Sequence, residues 1–252
     1  MELHNKTIIV TGASSGIGAA AAQLFVDEGA NVVLGARRAR ELEAITEGLN
    51  RANGRAVFLA GDVKDEAYAA ALVDLSKKEF GGLDGAFNNV GIVGEMQPVP
   101  DMSLGNWSNV ISVNLTGAFL AAKAQIPAMR VRGQGSIVFT SSFVGFSNGG
   151  MSGMGAYAAS KAGLIGLAKS LASDHAAEGI RVNTLLPGGT VTPSGGEGNR
   201  DALKFIASLH PMKRMASPRE IAQASLFLLS DRSSFVTGSP LIADGGMSVR
   251  LT

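Results

Sequence analysis

Two side chains four residues apart, Tyr157 and Lys161, are the pair in this sequence best suited to moving a proton. On a helix that spacing puts both on one face. Tyr157 is one of only two tyrosines in the 252 residues, and an uncharged stretch runs directly into it. Reducing a carbonyl needs a proton donor at the oxygen while hydride reaches the carbon, and oxidising an alcohol needs the reverse. A free phenol has a pKa near 10, so working near pH 7 asks for about three units, or ~4 kcal/mol. A lysine ammonium within ~4 Å supplies roughly that at an effective dielectric of ~20. An ordinary amphipathic helix offers the same spacing by chance, so the pair needs company.

The company begins at the N-terminus. Thr7-Ile8-Ile9-Val10 runs into Thr11-Gly12-Ala13-Ser14-Ser15-Gly16-Ile17-Gly18 and then into a helical pattern. Glycines there permit a tight turn and a close backbone approach to a pyrophosphate, which a helix N-terminus attracts through free N–H groups and its dipole. Gly12, Ser14, Ser15, Gly16, Ile17 and Gly18 are therefore candidate dinucleotide contacts. Gly12-Ala13-Ser14-Ser15-Gly16 also reads as the Gly-x-Ser-x-Gly elbow of a hydrolase. That fold needs several strands and an oxyanion loop upstream, and a single strand precedes this turn.

The end of the next strand tests the nucleotide reading. A carboxylate there would bind the ribose hydroxyls of NAD. Here the chain runs Leu34-Gly35-Ala36-Arg37-Arg38, with no acid anywhere in residues 30–40. Guanidinium pairs bidentately with phosphate oxygens, so Arg37 and Arg38 suit a 2′-phosphate. The expectation is NADP(H) preferred, with NAD(H) possible. The bland alternative, two solvated residues opening a helix, sits poorly with the rule that cations are disfavoured at a helix N-terminus.

These residues need elements to carry them. Short runs rich in Val, Ile and Phe at 7–10, 31–34, 56–60, 83–87, 135–139, 180–185 and 240–243 read as strands. Longer Ala- and Leu-rich stretches at 16–28, 38–52, 65–79, 103–130, 157–177 and 218–229 read as helices. Alternation of this kind means βαβ crossovers, and continuously apolar strands mean that both faces are covered. The expectation is an α/β, Rossmann-like, doubly wound parallel sheet of about seven strands, one domain spanning 1–252. Two irregular stretches, 143–156 and 187–212, are read as substrate loops at the carboxyl ends of strands.

Composition narrows the class. There are no cysteines, which removes disulfides, thiol catalysis and thiolate metal sites and fits the cytoplasm. His4, His175 and His210 lie at no ligand-like spacing, so no metal is expected. A net charge of +1 with scattered charges gives no footprint for nucleic acid. The first strand starts at Thr7, leaving no room for a signal peptide. No apolar run approaches the ~20 residues that span a bilayer, so no membrane association is expected.

Taken in order, Thr11-Gly12-x-x-x-Gly16-x-Gly18, Asn88-Asn89-Val90-Gly91, Asn114, Ser142, Tyr157-x-x-x-Lys161 and Pro187-Gly188 resemble the short-chain dehydrogenase/reductase family. The resemblance covers nearly the whole chain, to Asp244-Gly245-Gly246. It implies that Tyr157 is the acid/base and that Lys161 lowers its pKa and holds the nicotinamide ribose. It implies that Ser142, not its neighbour Ser141, orients the substrate oxygen, and that Asn114 anchors a water relaying protons to solvent. Asp62 and Val63 look like the adenine contact, and Asn89, Val90 and Gly91 like the floor beside the cofactor. Pro187, Gly188, Thr190 and Thr192 look like the stretch at the nicotinamide end, with Thr192 similar to the residue that holds the carboxamide. Two departures stand out. Val90 occupies a position where Ala is usual, and the gap from Ser142 to Tyr157 is a little long.

Phe143, Val144, Phe146, Met151 and Met154 would line a pocket for a neutral, largely apolar ketone or alcohol. The same side chains would equally suit packing into a partner subunit or a lid. Helices 103–130 and 157–177 carry Ala121, Ala122, Ala158, Ala159, Ala162, Gly163 and Gly166, and similar enzymes form homotetramers through these helices and the last strand. The rival class is a non-catalytic dinucleotide-binding regulator on the same fold. Such proteins typically lose the Tyr or the Lys, and this chain keeps both.

Overall fold

Strand formation follows the apolar runs. β1 (Thr7–Thr11), β2 (Asn31–Ala36), β3 (Arg55–Ala60), β4 (Gly85–Asn88), β5 (Gly135–Thr140), β6 (Ile180–Pro187) and β7 (Pro240–Ala243) form one sheet in the order β3-β2-β1-β4-β5-β6-β7. All six pairings are parallel. The helices are α1 (Gly16–Asp27), α2 (Ala39–Arg51), α3 (Glu66–Phe80), α4 (Leu104–Ile111), α5 (Gly117–Arg132), α6 (Gly155–His175), α7 (Arg200–Leu209) and α8 (Pro218–Leu229). The computed structural model describes residues 1–52, 54–147, 150–195 and 198–249.

Alternation along the strands splits the core into two layers. Ile8, Val10, Val32 and Leu34 pack with Phe25 of α1 and with Ile221 and Leu226 of α8. Ile9 and Val33, one residue out of phase, pack on the other face with Leu72, Ile126, Met129 and Leu164. Phe25 and Phe87 meet edge to face at 6.2 Å between centroids. Strand order reverses between β1 and β4, which opens a crevice at their carboxyl ends. The opposite end is tied by Asp84, which accepts from the Thr7 amide at 2.8 Å and from the Arg132 fork at 3.0 and 3.2 Å.

Three features depart from the sequence-based expectation. The stretch 103–130 is not one helix: a π-helical segment, Ser112–Thr116, separates α4 from α5. The stretch 187–212 is not wholly irregular, because Asn199 caps α7 by accepting from Ala202 N at 3.0 Å. The fourth strand lies at Gly85–Asn88 rather than 83–87, since Asp84 turns its side chain to Arg132 and Thr7. Among the described residues, no helix is long and apolar enough to cross a membrane.

The small-residue faces divide by use. A Cβ on Gly163 would lie 2.8 Å from Leu115, so that glycine serves packing within the chain. Ala121 and Ala122 are buried too. Ala159, Ala162 and Gly166 lie open on α6, and a Cβ on Gly166 would meet nothing within 4 Å.

Candidate active site

The turn between β1 and α1 is shaped for close approach. A Cβ on Gly18 would run into the carbonyl oxygen of Gly12, so no larger residue fits without moving the turn. Gly12 and Gly16 have φ of 69° and 57°, which keeps the loop tight. Ser15 stands at the N-cap of α1 without capping it, and the first N–H groups of a helix have no partner within it. Its hydroxyl instead accepts from Arg38 at 2.7 Å, and Ser14 Oγ accepts from the same guanidinium at 2.9 and 3.2 Å. A helix end with unclaimed donors and no Cβ in the way is what a pyrophosphate needs.

Arg38 is thus no idle surface residue: it bridges the second strand's end to the phosphate turn. Arg37 is exposed and makes no hydrogen bond or ion pair among the described residues. Asp62 turns its carboxylate toward Lys64, accepting from its amide at 3.0 Å. Val63 packs over Gly117, where a Cβ would lie 3.0 Å from Val63 Cγ2.

Tyr157 and Lys161 lie on the first turns of α6, beside the end of β5. The buried Lys161, 2% exposed, donates through Nζ to the Thr140 carbonyl at 2.7 Å. Its own carbonyl accepts from Ser141 Oγ at 2.7 Å. Ser141 is therefore spent on holding α6, while Ser142 Oγ accepts from the Val144 amide at 3.3 Å and lies close enough to Tyr157 to favour its ionised form. The two neighbouring serines thus have different partners. A Cβ on Gly91 would come within 2.9 Å of Lys161 Nζ, so Gly91 makes room for the ammonium.

Asn114 sits in the π-helical segment and is fully buried. Its side chain pairs with the Ile92 backbone both ways, accepting at 2.8 Å and donating at 2.9 Å. It also donates to Ser160 Oγ at 2.9 Å, and Ser160 donates on to the Tyr157 carbonyl at 2.7 Å. One amide thereby holds the chain after Gly91 against the start of α6. A cavity of about 20 Å³ opens beside it, bordered by Thr11, Asn88 and Asn114.

Both titratable groups are pushed away from charge. Burial raises the Tyr157 phenol above its ordinary value, and the hydrogen bond from Ser142 pulls it partly back. Burial lowers the Lys161 ammonium to about 8. The Lys161 Nζ lies 5.6 Å from the tyrosine ring centroid.

At the other wall, Asn89 takes Thr11 Oγ1 on its amide at 3.2 Å and Thr140 Oγ1 on its side chain at 3.1 Å, tying three strand ends together. A Cβ on Gly12 would lie 3.3 Å from Val90 N. Thr190 Oγ1 donates to Gly188 O at 3.1 Å. Thr192 packs against Gly16, so the stretch after Pro187 reaches the phosphate turn. Phe146 and Met151 are exposed, whereas Val144 is buried beneath Gly150. Sequence reasoning missed the facing loop: Gln97 N donates to Gly153 O at 3.2 Å, which brings Met96 to the same rim. It also missed the buried Asn88–Gln125 amide pair, at 2.9 and 3.1 Å, for which one sequence offers no signal. Among the described residues no group of three His, Cys, Asp or Glu is placed to hold a metal.

The lysine shift has a measurable sign. Between about pH 8 and 10.5 the folded chain has shed the Lys161 proton and the unfolded chain has not, so stability rises with pH there. Below pH 8 both forms carry the proton and the fold bears the full cost of burying it. Lys161→Met should therefore melt above wild type at pH 7, by roughly 3 kcal/mol of unfolding free energy at ~1.4 kcal/mol per pH unit. The gap should close as pH approaches 10.5. Denaturant unfolding of both proteins without nucleotide across this range checks it, and a pH-independent gap refutes it.

Known proteins are similar to this chain over nearly its whole length. Over residues 12–248 the chain matches the family model described as enoyl-(acyl carrier protein) reductase. It is 41% identical to the 2,5-dichloro-2,5-cyclohexadiene-1,4-diol dehydrogenase of Sphingobium indicum, over 98% of each chain. It is 40% identical to the cis-4-hydroxycyclohexanecarboxylate dehydrogenase of Sinomonas cyclohexanicum, over 96% of each. The crystal structure of levodione reductase matches with a TM-score of 0.94 at 32% identity, over 99% of this chain and 100% of that one. With matches of this extent in sequence and in structure, the chain belongs to the short-chain dehydrogenase/reductase family, an oxidoreductase acting on CH–OH groups with a nicotinamide cofactor.

Proposed function

We propose that this enzyme transfers hydride between NADP(H) and a secondary alcohol or its ketone, with Tyr157 as general acid/base. The observation that carries this reading is the buried Lys161 ammonium, hydrogen-bonded to the Thr140 carbonyl and 5.6 Å from the centroid of the Tyr157 ring. In alcohol oxidation the Tyr157 oxygen takes the hydroxyl proton, and in carbonyl reduction it gives one back. The Ser142 hydroxyl holds the substrate oxygen next to the phenol. Burial works against the phenolate, and the positive charge of Lys161 offsets that cost. Bound nicotinamide supplies or accepts the hydride and, when oxidised, adds a second positive charge. Asn114 fixes both walls and would anchor the water that passes the proton outward.

Ser14 to Gly18 would hold the pyrophosphate, Asp62 and Val63 the adenine, and Asn89 to Gly91 with Lys161, Pro187, Gly188, Thr190 and Thr192 the nicotinamide riboside. The free Arg37 would meet the 2′-phosphate. Cofactor, catalytic and substrate groups all stand on one sheet, so the chain acts as one domain.

For the substrate we take a neutral secondary alcohol on a six-membered ring. The loops beside Ser142 present Met96, Phe143, Phe146, Met151 and Met154, none of them charged. Both named relatives act on six-membered rings by their names. Open Ala159, Ala162 and Gly166 on α6, together with the edge strand β7, support a homotetramer. The cysteine-free chain suits the cytoplasm, with cell fractionation as the check.

Three measurements decide among these statements. Cyclohexanol should be oxidised with NADP+, and Tyr157→Phe should cut kcat by about 100-fold or more while leaving cofactor affinity nearly unchanged. Residual activity of about a tenth of wild type would remove Tyr157 from the chemistry. Arg37→Ala should weaken NADP+ by about ten- to a hundredfold and spare NAD+. Arg38→Ala should weaken both, because Arg38 orders Ser14 and Ser15. Equal losses of both cofactors on Arg37→Ala would sink the NADP assignment. Light scattering should give a tetramer mass, and a monomer at micromolar concentration ends that proposal.

A further inference from the structure

His210 takes no part in the scheme above, yet its surroundings are unusually specific. It follows α7 directly and is 2% exposed. Its Nδ1 lies 2.8 Å from the Ile206 carbonyl oxygen, and its Nε2 lies 3.0 Å from the Gly189 amide nitrogen. A carbonyl only accepts and an amide N–H only donates. The backbone partners therefore assign the proton to Nδ1 and the lone pair to Nε2. The imidazole is a neutral bridge with one donor and one acceptor, both used.

The chain is cut to the outline of this ring. A Cβ on Gly188 would lie 2.9 Å from Nε2, one on Gly189 2.7 Å from Cε1, and one on Gly245 3.1 Å from Cδ2. Three glycines from two strand ends thus face one side chain. The charged neighbours around the adjoining cavity of about 200 Å³ are engaged elsewhere. Arg214 pairs with Glu220 at 2.6 Å, and Asp244 accepts from the Gly246 and Ser248 amides at 2.8 and 2.7 Å. Lys213, on the turn after His210, donates its amide to the His210 carbonyl at 2.9 Å. None of these charges bonds the imidazole in the described structure.

We infer that His210 is a positioning residue for hydride transfer. It pins the last turn of α7 to the Gly188–Gly189 turn and so sets the surface against which the nicotinamide half of the dinucleotide rests. The turn has one other anchor on each side, Gly188 N to Ala243 O at 3.1 Å and Ala216 N to Gly189 O at 2.9 Å. Those anchors hold it to β7 and to the segment before α8. Among the hydrogen bonds of the described residues, it is the imidazole that ties the turn to α7, the helix within the expected substrate loop. Beyond the turn the chain reaches Thr192 and, through it, Gly16. The inference rests on the nucleotide reading given above.

The test separates local positioning from general stability. His210→Phe keeps a ring and removes both hydrogen bonds, whereas His210→Gln returns a carbonyl acceptor near the place of Nε2. Calorimetry would measure, for each, the affinity for whichever of NADP+ and NAD+ wild type binds more tightly. The corresponding ADP-ribose, which lacks nicotinamide, serves as the second probe. The expected result is a loss of about tenfold or more for the dinucleotide in His210→Phe, no loss for the ADP-ribose, and recovery in His210→Gln. Unchanged dinucleotide affinity, or the same loss for both probes, overturns the inference. Should His210→Phe fail to fold, Gly189→Ala sets a methyl against both Ile206 Cγ2 and the edge of the imidazole, parting the turn from α7, and must give the same selective loss. A wild-type protein that binds neither probe would defeat the nucleotide reading itself, a distinct outcome.

Discussion

The hydrogen bond from the Lys161 ammonium to the Thr140 carbonyl is the contact on which the rest of the site depends. It places a charged group where water does not reach, at the carboxyl end of a central strand. Burying a lone ammonium is expensive unless it is hydrogen-bonded. The protein meets that demand with backbone rather than with a carboxylate, so the positive charge is not neutralised. Gly91 gives the ammonium its space, Ser141 secures the same residue's carbonyl, and Ser142 Oγ, which accepts from the Val144 amide, keeps its proton for the phenol. A carboxylate partner would have made the lysine comfortable and removed the field that a tyrosinate needs.

Much of this was legible in the residues because its signals are local. The run Thr7–Val10 followed by Gly12, Gly16 and Gly18 declares a strand, a tight turn and a helix start within a dozen positions. The four-residue spacing of Tyr157 and Lys161 needs only a helix to become a shared face. What escaped was set by contacts distant in sequence. Nothing around Arg38 says that its guanidinium folds back 23 and 24 residues onto Ser15 and Ser14. Nothing near Gln125 announces Asn88, 37 residues away. The missed α7 had its own signal, an Asn cap before an amphipathic stretch, but the prolines and glycines ahead of it concealed it.

The fold and the chemistry leave the substrate to the loops. The fold is shared with levodione reductase over nearly the whole length of both chains, and in the proposed mechanism the strand ends hold the groups that any alcohol would meet. Met96, Phe146 and Met151 stand exposed on connections between β4 and α4 and between β5 and α6. Side chains on such connections vary without disturbing Lys161 or Asn114. In the proposed scheme, discrimination among alcohols would thereby be separated from proton transfer.

The π-helical segment Ser112–Thr116 has a consequence for how this gene tolerates change. In a regular helix one surplus residue would shift the phase of everything after it by about 100°. The wide turn takes that residue up, so α5 presents a different stripe to the sheet than a straight continuation of α4 would. Losing one residue between 112 and 116 would therefore restore a regular helix and leave Gln125, Ile126 and Met129 facing their partners. What such a one-codon deletion would take away is the seat of Asn114, and with it the junction to Ile92 and Ser160. The packing of α5 would survive a loss of length that the amide junction would not.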